Sequence, residues 1–132
     1  MILLDTQAAL WLDSGDPRLG PHSRQEIERA WQSEGIAVSA ITFWETAMLR
    51  DKGRIKFPDD VLRWRRILLG QGYIEISVTG EIAARAGLIP GMHGDPADRI
   101  IVATALEGHQ LITSDRKILA WPGQLSRMDA RA

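Results

Sequence analysis

The sequence predicts an α/β domain with a mostly parallel central sheet that is covered on both faces by helices. Apolar runs of strand length alternate along the chain with helix-length amphipathic segments, which is typical of βαβ units. Four runs have strand character, and they lie at 2–4, 36–39, 73–78 and 111–113. Because strands that are buried on both faces consist of continuous apolar runs, these short stretches fit the interior of a parallel sheet.

Start and stop residues mark the helices between these runs. Helices are expected at 6–12, from Ser23 to about 34, from Thr42 to about 52, from Asp59 and Asp60 to about 70, at 79–86, and from Asp95 to about 107. Ser23 with Glu26, and Thr42 with Glu45, have the spacing of a capping box. Pro96 fits the first position of its helix, because no N–H is needed there.

Length and composition narrow the class of protein. The 132 residues fit one domain over 1–132, in which the polar segment 126–132 is expected to be a loose tail. The absence of cysteine excludes disulfides, thiolate zinc sites and a cysteine nucleophile, and it fits a reducing cytoplasm. No apolar run approaches the roughly 18 residues that a membrane span needs, so no membrane partner is expected. The start of the chain is charged too early for a signal peptide.

Four acidic residues are placed to meet at one edge of the predicted sheet. Asp5 directly follows the first strand, and Asp115 lies two residues after the last. Glu45 and Asp98 lie in the first turns of two helices, one after the second strand and one before the last. Since ligands of open parallel sheets bind outside the carboxyl ends of the strands, all four acids can reach one site.

Carboxylates that are crowded together repel one another unless a cation lies between them. A set of oxygen ligands favours Mg²⁺ or Mn²⁺ over zinc. Such an ion can activate water and neutralise charge on a phosphodiester. The acids therefore predict a metal site with hydrolytic chemistry.

Each acid also has a structural interpretation. Glu45 could complete the capping box that Thr42 begins, and Asp98 could do the same for Asp95, a natural N-cap. Acidic residues in the first turn of a helix are favoured by its dipole in any case. Asp115 could be a turn residue after a strand. Asp5 has the weakest structural alternative, since an acid directly after a buried apolar run is unusual.

Four segments, in order, resemble the motifs of PIN domains of the VapC toxin type. They are Met1–Thr6, Val38–Glu45, His93–Ala105 and Leu111–Asp115. The third contains Asp95-Pro96-Ala97-Asp98-Arg99, as in the branch with a D-P-x-D-R signature. The resemblance implies a three-layer α/β/α fold and Mg²⁺-dependent endoribonuclease activity. It also implies a cognate antitoxin protein as partner and a homodimer.

The motifs also imply roles for single residues. The acids implied as catalytic residues and metal ligands are Asp5, Glu45, Asp98 and Asp115. Thr6 and Thr113 match hydroxyl positions that bind phosphate or a water near the metal. Asp95 is expected mainly to cap its helix. Arg99 and Arg116 are neighbours of the proposed ligands, where they could contact the scissile phosphate or keep the acids ionised.

Basic residues and histidines add little to this assignment. The net charge of −1 does not predict a nucleic-acid binder, so contact with RNA requires a local basic patch. Seven basic residues between 50 and 66 could supply it: Arg50, Lys52, Arg54, Lys56, Arg63, Arg65 and Arg66. The stretch could equally be a solvated helix face, on which Asp51, Asp59 and Asp60 offset part of the positive charge. The three histidines, His22, His93 and His109, show no ligand spacing.

The predicted function is hydrolysis of RNA phosphodiester bonds, and two alternative functions compete with it. One is a PIN-like module that binds RNA or protein without cleaving, which the intact acidic set argues against. The other is a phosphatase of a different α/β family with an aspartate nucleophile. Such enzymes need a second aspartate two residues further on, where this chain has Gln7.

Overall fold

The computed structural model describes residues 1–57 and 60–132, and in these residues strands and helices alternate as predicted. The strands are β1 (Ile2–Leu4), β2 (Ile36–Ser39), β3 (Ile74–Ile76), β4 (Gln110–Thr113) and β5 (Arg127–Asp129). The helices are α1 (Thr6–Ser14), α2 (Pro21–Trp31), α3 (Ile41–Asp51), α4 (Val61–Gly70), α5 (Gly80–Leu88), α6 (Pro96–Ala105) and α7 (Arg116–Ala120). No helix in the described part of the chain has the length and apolar character to cross a membrane.

The five strands form one sheet in the order β3-β2-β1-β4-β5, and every neighbouring pair is parallel. The chain builds β2 and β3 on one side of β1, and then returns to place β4 and β5 on the other side. Leu4 at the end of β1 pairs with Ile112 of β4. The reversal of strand order leaves a crevice at the carboxyl ends of β1 and β4, which is where open α/β sheets bind ligands.

Two apolar layers cover the sheet, one on each face. Side chains alternate between the two faces of a strand, so Ile2 and Leu4 of β1 point into the layer formed with α1, α2 and α4. Leu3 points to the opposite layer, where it joins residues of α5, α6 and α7. The predicted three-layer α/β/α architecture with its sheet covered on both faces is therefore confirmed.

The segment 126–132, which was expected to be a loose tail, belongs to the sheet. Residues 127–129 form β5 at its edge, and Ala130 is fully buried. The Gly20 amide donates to the carbonyl of Ala130 over 2.8 Å, and the Ser23 amide donates to that of Ala132 over 3.0 Å. The prediction was wrong because this short, polar edge strand has no apolar run of its own. Residues distant in sequence hold it in place.

The caps agree with prediction in part. Both capping boxes are wrong: α2 begins at Pro21 and α3 at Ile41, so Ser23 and Thr42 lie inside helices. The Asp60 side chain caps α4 as expected, and its predicted companion Asp59 lies outside the described residues. The short helix α7 was not predicted, since five residues show too little periodicity to stand out.

Candidate metal-binding and catalytic site

An open cleft of about 440 Å³ lies at the carboxyl ends of β1 and β4, close to where α1, α6 and α7 begin. Five carboxylates line it: Asp5, Glu45, Asp95, Asp98 and Asp115. Since these residues come from four separate parts of the chain, the parallel sheet is what brings them together. The structure thus unites all four acids of the predicted catalytic set and adds Asp95.

Asp5 is held at the floor of the cleft by hydrogen bonds to both of its carboxylate oxygens. Oδ1 caps α1 by accepting from the Ala8 amide over 2.7 Å. Oδ2 accepts from the Thr113 hydroxyl over 2.6 Å and from the Ser114 amide over 3.1 Å. Burial raises the pKa of Asp5 above its ordinary value even though these bonds lower it, and the nearby Asp115 adds to the rise. The charged form of Asp5 is therefore less stable than it would be in water, and a nearby cation would stabilise it.

Asp115 and Asp95 each use one carboxylate oxygen to cap a helix. Asp115 Oδ1 accepts from the Ile118 amide of α7 over 2.9 Å, and Asp95 Oδ1 accepts from the Asp98 amide of α6 over 3.0 Å. A second bond fixes Asp115 at its backbone, because its amide donates to the Thr113 hydroxyl over 3.0 Å. Each cap leaves the other carboxylate oxygen available to the cleft.

Asp98 is half-buried, and its side chain is not part of a capping box. Its Oδ2 lies 2.8 Å from Nε2 of His93. Burial raises the pKa of Asp98 to about 7, the bond to His93 opposes the rise, and the charges of Asp115, Asp95 and Glu45 add to it. At neutral pH the neutral and charged forms of Asp98 are therefore comparably populated, and a nearby cation would favour the carboxylate.

Glu45 faces the cleft from the first turns of α3. Burial raises the pKa of Glu45, a hydrogen bond from Thr6 lowers it, and the charges of Asp95, Asp5 and Asp115 raise it further. The Thr6 hydroxyl also lies 3.1 Å from the hydroxyl of Thr42, a fully buried residue of α3. Thr42 therefore contacts the same hydroxyl that bonds Glu45, and as a residue inside α3 it is not the N-cap of that helix.

Among the residues that the structure describes, two groups of side chains could hold a metal ion, and they share Asp98. Glu45, Asp95 and Asp98 offer ligand atoms within 4.8 Å of one another, and so do His93, Asp98 and Asp115. Carboxylate oxygens are the ligands that Mg²⁺ and Mn²⁺ prefer, and a nearby imidazole is compatible with Mn²⁺. The donor set and the raised pKa values of its buried members therefore fit a divalent cation.

Comparison with known proteins decides the family. Residues 2–122 match the family model of the PIN domain. The chain belongs to the PIN-domain family. This PIN domain is 38% identical over 119 residues to Ribonuclease VapC22 of Mycobacterium tuberculosis, which covers 89% of this chain and 88% of that relative. The resemblance of the four motifs to VapC-type proteins is confirmed.

Solved structures share the fold along nearly the whole chain. One is a toxin–antitoxin complex from Klebsiella pneumoniae, with a TM-score of 0.67 and 26% identity over 98% of both chains. Another is VapBC2 from Rickettsia felis bound to a DNA fragment from its promoter. It has a TM-score of 0.68 and 17% identity over 98% of this chain and 100% of that one. At 17% identity, the similarity to the Rickettsia felis structure supports the fold alone.

Two residues predicted to bind substrate lie elsewhere in this PIN domain. Thr113 is fully buried beneath the cleft, where its hydroxyl links Asp5 to the Asp115 amide. Arg99 faces away from the acids and donates to backbone carbonyls of the segment 86–93. The prediction for Arg99 relied on its position next to Asp98 in sequence. It was wrong because successive residues of a helix point to different sides.

Other residues that line the cleft were predicted with an untested role or were missed. Thr6 and Arg116 line the cleft, and their contact with substrate stays a prediction. His93 and Arg131 were not assigned, although the first contacts Asp98 and the second lines the cleft. His93 was within reach of sequence reasoning, since it lies in the third motif. Arg131 was not, because it follows β5, which the sequence does not reveal.

The described residues of the basic stretch at 50–66 are not among those that line the carboxylate cleft. Arg65 pairs with Glu75 over 2.6 Å, and Arg50 donates to the Phe57 carbonyl over 3.0 Å. Arg54 and Lys56 line a second cleft of about 530 Å³. Part of the stretch is thus engaged in structural contacts, and part borders a separate depression.

Proposed function

We propose that this PIN domain is an Mg²⁺- or Mn²⁺-dependent endoribonuclease that hydrolyses RNA phosphodiester bonds. The observation that carries the proposal is the meeting of five carboxylates in one cleft, of which Asp5, Glu45 and Asp98 have raised pKa values. Proteins keep such a costly arrangement where function requires it. The relationship to a protein named as a ribonuclease supports RNA as the substrate.

In this proposal the catalytic set holds the ion, and the residues around it orient that set. Asp5, Asp98 and Asp115 are ligands, and Glu45 completes the site directly or through water. When bound, a divalent ion supplies activation of water and neutralisation of charge on the phosphodiester. Thr113 orients Asp5, the buried Thr6 hydroxyl bonds Glu45, and Arg116 offers a cation to the phosphate.

We further infer that a cognate antitoxin protein binds this chain. The neighbour from Klebsiella pneumoniae is described as a toxin–antitoxin complex, and at 26% identity it matches this chain from end to end. On this basis the chain is the toxin of such a pair. A homodimer, as the sequence motifs imply, belongs to the same proposal.

Cleavage of purified total RNA tests the enzymatic part. We expect fragments with Mg²⁺ or Mn²⁺ and none with EDTA. Asp115→Asn should abolish cleavage and keep the fold, since the amide oxygen can still cap α7. Asp51→Asn, a matched change at an exposed acid outside the cleft, should cleave like the wild type. Cleavage by Asp115→Asn at the wild-type rate would refute the proposed site.

The same samples separate cleavage from binding alone. A non-catalytic module would shift RNA in a native gel with Mg²⁺ present and leave its length unchanged. That outcome, obtained with folded wild-type protein, would favour the binding module.

Expression in bacteria tests the toxin part. We expect the wild-type chain alone to slow growth, and Asp5→Asn to relieve the arrest because the floor of the cleft loses its charge. Immunoblots must show equal protein levels. Equal arrest by both versions would separate any toxicity from the carboxylate cleft.

A further inference from the structure

His93 lies in the loop between α5 and α6, outside the predicted catalytic set, and it contacts one member of that set. Its Nε2 is 2.8 Å from Asp98 Oδ2, and the two side chains are only 19% and 17% exposed. An ionised carboxylate can only accept, so Nε2 carries the proton and donates whenever Asp98 is charged. The bond occupies one oxygen of Asp98 and leaves the other for the cleft.

The loop that carries His93 is fixed by Arg99, one turn into α6. The guanidinium of Arg99 donates to five backbone carbonyls of one short segment, namely those of Ala86, Gly87, Ile89, Met92 and His93, over 2.8–3.2 Å. Nε and both terminal nitrogens take part. A planar fork of fixed donors suits such an array of acceptors, and a lysine ammonium does not.

A second hydrogen bond holds the same loop. The indole N–H of Trp121 donates to the Pro90 carbonyl over 2.9 Å. Trp121 is itself buried in the layer that α5, α6 and α7 form on the sheet. The His93 backbone is therefore attached to both α6 and the core, so the position of its imidazole does not depend on the loop alone.

We propose that Arg99 and His93 form a positioning unit for Asp98. Arg99 holds the loop, and His93 holds Asp98 Oδ2, so that the Asp98 carboxylate is oriented for a cation shared with Glu45 and Asp95. The inference rests on the proposed function, since it concerns the orientation of one proposed metal ligand. Groups that orient metal ligands typically contribute about 10–100-fold to metal affinity.

The role is distinct from simple anchoring of the loop. An anchor would contribute to stability and leave cation binding unchanged. A positioning residue sets the affinity for the cation, and it does so through one hydrogen bond whose donor must reach Asp98.

Substitution of His93 by each of two amides isolates that bond. The amide nitrogen of glutamine extends about as far from the backbone as Nε2 of histidine, whereas that of asparagine corresponds to Nδ1. His93→Gln can therefore still donate to Asp98, and His93→Asn cannot. Both variants carry an uncharged amide, so the difference between them is how far the N–H donor lies from the backbone.

Mn²⁺ alone is the probe, titrated into metal-free protein while the electron paramagnetic resonance signal of free Mn²⁺ is followed. We expect His93→Asn to weaken binding about 10–100-fold. His93→Gln should remain within a few-fold of the wild type. Arg99→Lys should weaken binding although His93 is intact. Thermal melts establish that each variant is folded.

Equal Mn²⁺ affinity in the wild type and in folded His93→Asn would overturn the positioning role alone. A directly coordinated nitrogen, detected as strong ¹⁴N coupling to bound Mn²⁺ in the wild type, would overturn it too, because His93 would then be a ligand. A folded wild type that binds no Mn²⁺ would overturn the proposed metal-dependent function together with this inference.

Discussion

Asp5, Asp95 and Asp115 each cap a helix and also line the cleft. The structural and the functional interpretations of these acids are therefore not alternatives. An N-cap places a carboxylate at the positive end of a helix, and three helices that begin at one sheet edge place three carboxylates together. The caps fix the side chains in orientations that a bound cation can use.

Asp95 allows the two roles to be separated. We expect Asp95→Ala to lower the free energy of unfolding by about 1 kcal/mol, the usual effect of a lost N-cap, and to retain measurable cleavage. Asp95→Ser should recover most of that stability, because serine still caps, while it removes the same charge. Urea denaturation and RNA cleavage measure both effects. Loss of cleavage in a stable Asp95→Ser variant would show that its charge, and not its cap, matters to the reaction.

At the scale of elements, β5 depends on a close approach between two parts of the backbone. A Cβ atom on Gly20 would lie 2.1 Å from the Ala132 carbonyl oxygen and 2.3 Å from that of Arg131. Both contacts are to backbone, so neither can be relieved by rotation of a side chain. Gly20 is therefore required for the segment after β5 to pack against the start of α2.

We expect Gly20→Ala to lower the free energy of unfolding by roughly 1–3 kcal/mol, as overpacking does. The Ala130 amide, which donates to the Thr113 carbonyl over 2.8 Å, should exchange its proton faster. Gly80→Ala is the matched control, because a Cβ there meets no atom within 4 Å. Gly80→Ala should leave the free energy of unfolding unchanged or raise it by up to about 1 kcal/mol. Equal stability of both variants would contradict a packed β5.

At the scale of the whole molecule, the acidic cleft links stability to pH. The folded pKa of Asp98 is about 7 and its ordinary value is 3.8, so between these values the folded state keeps a proton that the unfolded state has lost. The unfolding free energy of metal-free protein should therefore fall as pH rises through this window and level off above about 7. The raised pKa values of Asp5 and Glu45 act in the same direction.

Asp98→Asn is the control for this prediction, since it removes the titrating group. Urea denaturation in EDTA at pH 5 and pH 7.5 should show a smaller fall for Asp98→Asn than for the wild type. At pH 7.5 the variant should be at least as stable as the wild type, because the repulsion among the carboxylates is reduced. Parallel profiles for the two proteins would assign the fall to other carboxyl groups with raised pKa values, such as Asp5 and Glu45, because the lowered pKa of His109 acts in the opposite direction.

Divalent cations should stabilise the folded chain. At a free Mg²⁺ concentration of one hundred times its dissociation constant, binding to the native state alone adds about 2.7 kcal/mol. Thermal melts with and without millimolar Mg²⁺ measure this effect, and Asp98→Asn should respond less. A wild-type melt that Mg²⁺ leaves unchanged and Zn²⁺ alters would contradict an oxygen-ligand site.

Local patterns in the sequence determined the class of the fold and the order of its principal elements. The runs at β1, β2 and β4 are apolar because both faces of those strands are buried, so burial is visible residue by residue. The acids that follow β1 and β4 were predictable for the same reason. The carboxyl ends of parallel strands meet at one edge, whichever residues fill the core.

Contacts between distant residues decided the rest. β5 is polar and short, and it exists because β4 and Gly20 hold it. The fully buried Thr113 orients Asp5 across 108 positions of sequence, and no local pattern distinguishes that role from phosphate binding. Arg99 was assigned to the wrong side of its helix because its acceptors belong to another segment of the chain. Periodicity shows which face of an element is buried, whereas hydrogen-bond partners are chosen only when the elements pack.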